Sequence, residues 1–169
     1  LTPSEAMVAK LPVLHGQTNT ASAMAFGFDP DLSTWSPFHG AVYAIVEAVA
    51  KIVASGGDAR KVRLTLQEYF ERLGTDPKKW GKPFAALLGA LYAQHEMGIP
   101  AIGGKDSMSG TFENLNVPPT LVAFAVSTVR SDDVISPEFK YPNNKVIMVP
   151  VPHDAQDLPV FARLNTNFE

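Results

Sequence analysis

A glycine-rich segment between residues 99 and 110 holds the residue types that could bind an anion such as phosphate. An apolar run, residues 99–102, is followed at once by two glycines, a lysine, an aspartate and two serines. Glycine lets a backbone approach a ligand closely, lysine meets a phosphate as a point charge, and serine hydroxyls add donors. The segment predicts a short strand that leads into an anion-binding glycine loop. The candidate phosphate-binding residues are Gly103, Gly104, Lys105, Asp106, Ser107 and Ser109.

The same segment has an alternative interpretation as an ordinary hairpin turn. Gly-Gly-Lys-Asp is favourable turn chemistry, because glycine and aspartate both tolerate the backbone angles that turns require. The segment lacks the G-x-x-x-x-G-K-[ST] spacing of a Walker loop and the G-x-G-x-x-G spacing of a dinucleotide-binding fold. The residues alone therefore leave the ligand site and the simple turn both open.

A second candidate site lies on a helix that is predicted from Pro37 to about Ser55. Ser36 is a favourable N-cap, proline is favoured at the first helical position, and the glycine pair 56–57 ends the helix. Among residues 40–54 the charged side chains are Glu47 and Lys51. A helix that is apolar around most of its circumference is mostly buried.

Glu47 and Lys51 are four residues apart, so they share one helix face with Tyr43 and His39. This polar stripe faces either bulk water or a lined cavity. In the first case Glu47 and Lys51 form a surface ion pair worth about 0.3–0.5 kcal/mol. In the second case Glu47 is a magnesium ligand, because Mg²⁺ takes one or two protein carboxylates and completes its shell with water and phosphate.

The order of the predicted elements favours an α+β fold, with helices packed on a mixed or antiparallel sheet, over a doubly wound parallel sheet. A second long helix is predicted to start at Pro83 and end at Gly98, with a short helical turn at residues 68–73 and turns at residues 29–37. A short helix is predicted at residues 158–168. Strands are predicted at residues 7–14, 19–28, 61–67, 99–102, 120–129 and 146–151.

The composition excludes several classes of protein. The 169 residues are 18% charged with a net charge of -3 and no basic run, so no nucleic-acid partner is expected. The longest apolar run is too short to span a bilayer, so no membrane partner is expected either. The sequence has no cysteine, which excludes a disulfide framework and a zinc–thiolate site. A cytoplasmic protein fits these features.

Three segments resemble, in the same order, the phosphoribosylformylglycinamidine synthase family of purine-biosynthesis amidoligases. They are T-A-S-A-M-A-F-G-F-D-P at residues 20–30, W-S-P-F-H-G-A at 35–41 and G-G-K-D-S-M-S-G at 103–110. The resemblance extends over residues 3–150. It implies an ATP-dependent carbon–nitrogen ligase that converts formylglycinamide ribonucleotide, glutamine and ATP into the amidine, ADP, phosphate and glutamate.

The resemblance also implies a place for the chain within a larger enzyme. Residues 1–142 resemble the N-terminal α+β half of the second synthetase-like module, of the aminoimidazole ribonucleotide synthetase type, and residues 143–169 the start of the link into the C-terminal half. The expected partners are that C-terminal half, the first synthetase-like module and a glutaminase domain. The isolated chain is expected to be inactive, with a possible homodimer through its sheet.

Several site residues follow from the resemblance. Glu47 matches a carboxylate that coordinates magnesium on a nucleotide, and Glu5 lies near the position of a further metal ligand. Lys51 stands where many members have an asparagine ligand, so it either neutralises phosphate directly or leaves a site without nucleotide. Gln67 lies where a polar residue faces the nucleotide. The implied cofactors are Mg²⁺ and ATP or ADP, and no catalytic residue is assigned.

Two alternatives to the enzyme interpretation remain. In one, the chain is a structural module that binds a nucleotide without turning it over. In the other, it is a dimerisation scaffold whose glycine segment is a simple hairpin.

Overall fold

The computed structural model describes residues 4–150 and 153–156. The chain divides into two compact units, residues 1–137 and 138–169. The predicted domain limit at residue 142 stays a prediction. In the first unit the helices are α1 (Pro30–Trp35), α2 (Pro37–Ala54) and α3 (Pro77–Met97). Its strands are β1 (Met7–Lys10), β2 (Thr20–Gly27), β3 (Arg63–Tyr69), β4 (Ala101–Ser107), β5 (Thr111–Phe112), β6 (Leu115–Asn116) and β7 (Thr120–Arg130).

Five of these strands form one mixed sheet in the order β1-β2-β7-β3-β4. β3 and β4 pair in parallel, whereas the other neighbours in this sheet are antiparallel. The parallel pair is connected through α3, as a parallel connection requires a crossover. β5 and β6 form a separate hairpin. The predicted α+β class with helices on a mixed sheet is confirmed.

The core lies between the sheet and α2, and it is built from small residues. β2 alternates buried and more exposed positions, and its buried side chains include Ala21, Ala23 and Ala25. Gly27 at the end of β2 lies so close to α2 that a Cβ there would be 2.3 Å from the carbonyl oxygen of Ala44. This spacing brings the helix backbone directly against the strand end.

Helix α2 has the predicted boundaries. The Ser36 side chain accepts a hydrogen bond from the backbone N–H of His39, and Gly56 follows the helix with φ +99°. By length and composition alone α2 could cross a membrane. In this structure it packs on β2, β7 and α3, and Ile45 and Ile52 are fully buried. α2 is therefore a core helix of the sheet layer.

Two predictions about where helices begin were wrong. Residues 30–35 form α1 rather than a turn, because the Asp29 carboxylate accepts a hydrogen bond from Leu32 N–H and proline follows at the first position. α3 begins at Pro77, and Pro83 lies inside it. The Asp76 side chain caps that earlier start and Pro77 follows it, whereas the residue before Pro83 is Lys82, which is not a capping residue.

Three predictions in or beside the strands were also wrong. The helical turn at residues 68–73 was wrong, because β3 continues to Tyr69 and pairs with β4 on one side and β7 on the other. The strand at residues 99–102 instead runs through the glycines as β4. Residues 146–150, which lie in the second unit, form no strand in the structure. Residue 151 and the predicted helix at 158–168 lie outside the described residues.

A pair of glycines on α3 tests the close packing of the two long helices. A Cβ on Gly89 would be 2.1 Å from the Phe38 carbonyl oxygen, whereas one on Gly81 would meet nothing within 4 Å. Gly89→Ala should lower the free energy of unfolding by about 1–3 kcal/mol through overpacking. Gly81→Ala should raise it by up to ~1 kcal/mol, because alanine favours the helix. Urea denaturation measures both, and equal effects would contradict the packing described.

Candidate functional site

The glycine segment is an edge strand rather than a loop. Gly103 and Gly104 lie within β4, which pairs with β3. Positive φ angles in the described chain occur at other glycines, such as Gly98. A Cβ on Gly104 would be 2.6 Å from the carbonyl oxygen of Leu66, so glycine here serves the close approach of two strands. The predicted glycine loop was therefore wrong, and an extended backbone presents the side chains instead.

The extended backbone sends Lys105 and Asp106 to opposite faces of the sheet. Lys105 pairs in register with Gln67, and Asp106 pairs with Glu68. Successive residues of a strand point to opposite faces, and laterally paired residues share a face. Lys105 and Gln67 therefore lie together on the face away from α2. The Lys105 ammonium donates to the backbone oxygen of Asp106 at 3.2 Å, a local bond that a ligand can replace.

The two candidate serines lie at and beyond the carboxyl end of β4. The carbonyl oxygen of Ser107 accepts a hydrogen bond from Phe70 N–H at 2.8 Å, and that of Ser109 accepts one from Thr111 N–H at 2.8 Å. Gly110 N–H in turn donates to the Phe70 carbonyl at 2.9 Å. These backbone bonds fix residues 107–111, so the structure brings both serines to the strand end that follows Lys105.

The second site gathers three of the predicted residues around one cation. Lys51 Nζ lies 2.7 Å from Glu47 Oε1, 3.4 Å from Glu5 Oε2 and 3.0 Å from the carbonyl oxygen of Phe26. The other carboxylate oxygen of Glu47 accepts a hydrogen bond from Phe28 N–H at 3.0 Å. Glu47 and Lys51 therefore face the end of β2 and not bulk water alone.

The ammonium of Lys51 is held by charge and by an aromatic ring. Its side chain is 18% exposed, and it lies 4.9 Å from the centroid of the Phe26 ring. Burial acts to lower the pKa of Lys51, but the hydrogen bonds and charges of Glu47 and Glu5 together raise that pKa above its ordinary value. Lys51 is therefore a permanent cation across the physiological pH range.

The position of Lys51 between Glu47 and Glu5 affects whether these carboxylates could bind magnesium. Three oxygens converge on one point, which is what a cation requires, but the Lys51 ammonium occupies that point. No group of three or more histidine, aspartate or glutamate side chains in the described part of the chain could hold a metal ion. As arranged, Glu47 and Glu5 do not fit a divalent cation unless Lys51 moves away. Their role as metal ligands stays a prediction.

The remaining residues of the polar stripe, His39 and Tyr43, lie nearer the N-terminus of α2. His39 Nδ1 lies 2.8 Å from the Ser36 hydroxyl, and its ring packs against Trp35 and Phe38. Tyr43 is exposed. His39 is therefore part of the helix cap and its aromatic surroundings.

The two candidate sites lie at the same end of the sheet. The register aligns Gly27 of β2 with Ala123, Leu66 and Gly104 on the successive strands. β2 and β4 are three strand spacings apart, which is about 14 Å. The Lys51 cluster and the Lys105 face are therefore separate features, and neither shares a ligand residue with the other.

The sequence analysis missed one residue of chemical interest, Glu68. Its side chain is 1% exposed, and both carboxylate oxygens lack a hydrogen-bond partner among the described residues. Burial, followed by the neighbouring charge of Asp106, raises the pKa of Glu68 to about 7. The signal was present in the alternation of Leu64, Leu66 and Glu68, which puts a carboxylate at a core position.

The Lys51 cluster yields a stability prediction. Lys51→Gln leaves two carboxylates and a carbonyl without their cation, so the free energy of unfolding should fall by about 1–2 kcal/mol. Lys105→Gln removes one exposed bond to a neighbouring backbone oxygen and should cost less than ~0.5 kcal/mol. Chemical denaturation at pH 7 compares the two variants. A Lys51 variant as stable as the Lys105 variant would show that the cluster contributes nothing to folding.

Known proteins resemble the chain in both sequence and fold, although no protein-family model matches it. The PurL subunit of phosphoribosylformylglycinamidine synthase from two strains of Limosilactobacillus reuteri is 30% identical over 115 residues. That alignment covers 68% of this chain and 15% of the relative. The chain thus spans about 15% of the length of the curated relatives it matches.

Solved structures share the fold. Thermotoga maritima PurL complexed with AMPPCP superposes with a TM-score of 0.67 and 21% identity, over 80% of this chain and 22% of that chain. The same protein complexed with FGAR gives a TM-score of 0.67. Thiamine monophosphate kinase from Aquifex aeolicus is more distant, with a TM-score of 0.50 and 13% identity over 69% of this chain and 36% of that chain. In sequence and in fold the chain is therefore similar to one segment of PurL, a subunit of phosphoribosylformylglycinamidine synthase.

Proposed function

We propose that the chain contributes the N-terminal half of the second synthetase-like module to an ATP-dependent carbon–nitrogen ligase of purine biosynthesis. The reaction converts formylglycinamide ribonucleotide to the amidine, with glutamine as the amido donor. The observation that carries this proposal is the 30% identity to PurL over 115 residues, together with the fold shared with Thermotoga maritima PurL.

The open face of β4 provides the ribonucleotide phosphate site of this proposal. Lys105 and Gln67 share that face, although the family resemblance assigns Gln67 to the nucleotide, and Ser107 and Ser109 follow at the strand end. Lys105 supplies a positive charge, and Gln67 and the serine hydroxyls supply neutral donors. Thermotoga maritima PurL has been solved with FGAR, which supports a ribonucleotide as the ligand of the related surface here.

The Lys51 cluster provides the nucleotide site. Thermotoga maritima PurL has been solved with ATP and with ADP. In this chain Lys51 would neutralise a nucleotide phosphate directly, because its ammonium already occupies the cation position between Glu47 and Glu5. Magnesium would enter this site only after Lys51 had moved, so the proposed role of the cluster does not depend on the metal.

The rest of the enzyme lies in other parts of a larger assembly. The C-terminal half of the module, the first synthetase-like module and a glutaminase domain would complete the cleft and deliver ammonia. The chain alone is expected to bind ligand without turnover. A cytoplasmic location follows from the proposed biosynthetic role.

A binding measurement tests the phosphate site. Calorimetric titration with formylglycinamide ribonucleotide should show binding to the wild-type chain and about 10-fold or weaker affinity for Lys105→Gln, because a charge-assisted hydrogen bond is lost. Lys10→Gln is the matched control, since Lys10 is exposed on β1, four strands away. Equal affinities for the two variants, or no binding to the wild type, would contradict the site.

A structural role is the second candidate, and one observation favours it. The sheet face away from α2 exposes large apolar side chains, with Met24 at 42%, Phe26 at 49% and Phe124 at 44% exposure. Exposed apolar patches of this kind mark interaction surfaces. A second copy of the chain, or the related module of the same enzyme, would cover this face by packing its own sheet against it.

Sedimentation of two phenylalanine variants tests this alternative. Phe124→Glu should weaken self-association of the chain at least ~10-fold, because it introduces a charge into the apolar face. Phe112→Glu is the control, since Phe112 is 73% exposed on the separate β5–β6 hairpin. A monomeric wild-type chain, or an equal effect of both variants, would rule out the homodimer through this face.

A further inference from the structure

One carboxyl group in the sheet core has no counter-charge and no hydrogen-bond partner. Glu68 is 1% exposed on β3, and both its oxygens are without a partner in the described residues. Leaving a buried carboxylate charged and unpartnered is costly, so such a group is expected to take a proton or a cation. The structure therefore calls for a bound species at this position.

The neighbour that decides between these species is Asp106. It pairs directly with Glu68 across the parallel β3–β4 ladder, on the same face of the sheet, and it is exposed on an edge strand. On the other side of Glu68, β7 presents Leu121, which is apolar and buried. Two carboxyl groups held side by side cannot both ionise without strong repulsion.

The charged groups of the packed helices are engaged elsewhere. Lys79 and Lys82 of α3 both contact the Glu71 carboxylate, and Glu47 and Lys51 of α2 pair with one another beside β2. His95 and Glu96 lie next to each other at the exposed end of α3. Lys105 points to the opposite face of the sheet from Asp106. No cation among the described residues is therefore seated on Glu68.

We infer that Glu68 and Asp106 form a carboxyl–carboxylate pair that holds one proton between them at neutral pH and releases it to solvent as the pH rises. The shared proton supplies the hydrogen bond that Glu68 lacks, and it leaves the pair with a single negative charge.

The proton changes the charge beside a proposed ligand site. Asp106 lies on the strand that carries Lys105, so release of the proton adds a negative charge next to the surface assigned to phosphate. Anion binding there would weaken as the pH rises. This consequence depends on the proposed function, whereas the proton-sharing pair itself does not.

The sign of the stability effect follows from linkage. The pKa of Glu68 is about 7 in the folded chain, above its ordinary value of 4.5, so the folded state binds more protons between those values. The contribution of Glu68 to stability is therefore fully present below about pH 4.5 and is lost as the pH rises toward and through 7. The lowered pKa values of Asp58 and Glu71 act in the opposite direction, below the ordinary carboxylate range, and so outside this window.

Denaturation from pH 5 to 7.5 tests the pair. Relative to Glu68→Gln, the unfolding equilibrium constant of the wild-type chain should rise by about 10- to 100-fold across this range. All other titratable groups are common to both proteins, so they cancel. Glu68→Gln should be at least as stable as the wild type at pH 7.5, which a merely structural glutamate would not permit. Identical pH profiles would overturn the inference.

Two further arms separate the pair from simpler explanations. Asp106→Asn should reduce the pH dependence, because burial persists but the second charge is lost; an unchanged profile would reduce the effect to burial alone and overturn the pair. Glu96→Gln, an exposed acid on α3, is the control that should retain the wild-type profile. Manganese should leave the profile unchanged, whereas specific Mn²⁺ broadening of signals at Glu68 and Asp106 would show a cation site instead.

Discussion

The close contact of α2 with β2 is the constraint on which the rest of this structure depends. Gly27 has no room for a side chain, because the backbone of α2 at Ala44 and Ala48 lies directly against it. The small residues of the two elements make this approach possible without a gap. As a result, the next polar residues of the helix, Glu47 and Lys51, reach the main chain where β2 ends. The helix packing and the cation cluster therefore depend on one another.

The same end of the sheet is reached differently by the parallel strands. β3 and β4 both finish there, and α3 supplies the long connection that a parallel pair needs. Glycine at position 104 permits the close pairing of β4 with β3, as glycine at position 27 permits the close packing of α2. Gly104 is thus required by strand packing, whereas a Cβ on Gly103 would meet nothing within 4 Å. The extended backbone alternates Lys105 and Asp106 between the two faces.

The sequence predicted those parts of the fold that local signals determine. Ser36, Pro37 and Gly56 mark both ends of α2, and the apolar run of residues 120–129 marks the buried strand β7. Local signals misplaced α3, because Pro83 resembles a start although Asp76 and Pro77 provide an earlier one. They also predicted a loop at the glycine segment. Residues 103–107 are extended because they pair with β3, which lies more than thirty residues earlier in the chain and gives no local signal.

For the candidate sites, the sequence supplied residue types but not their partners. The spacing of Glu47 and Lys51 predicts their contact, since i,i+4 residues on a helix are neighbours. The contribution of Glu5 and of the Phe26 carbonyl comes from β1 and β2 meeting the helix, which no spacing reveals. Glu68 escaped notice because its burial depends on the pairing of β3 with both neighbours.

Two pairs of carboxyl groups at this end of the sheet show two ways in which negative charge is balanced. Glu47 and Glu5 share the ammonium of Lys51, which lies one turn beyond Glu47 on α2. Among the residues that the structure describes, no such cation reaches Glu68 and Asp106, because laterally paired residues share a face and Lys105 points to the other face. A proton shared by the two carboxyl groups supplies the positive charge there. The alternation of side chains along β4 places Lys105 on one face and Asp106 on the other. Glu68 on β3 therefore has a carboxyl group beside it instead of an ammonium, and it takes a proton.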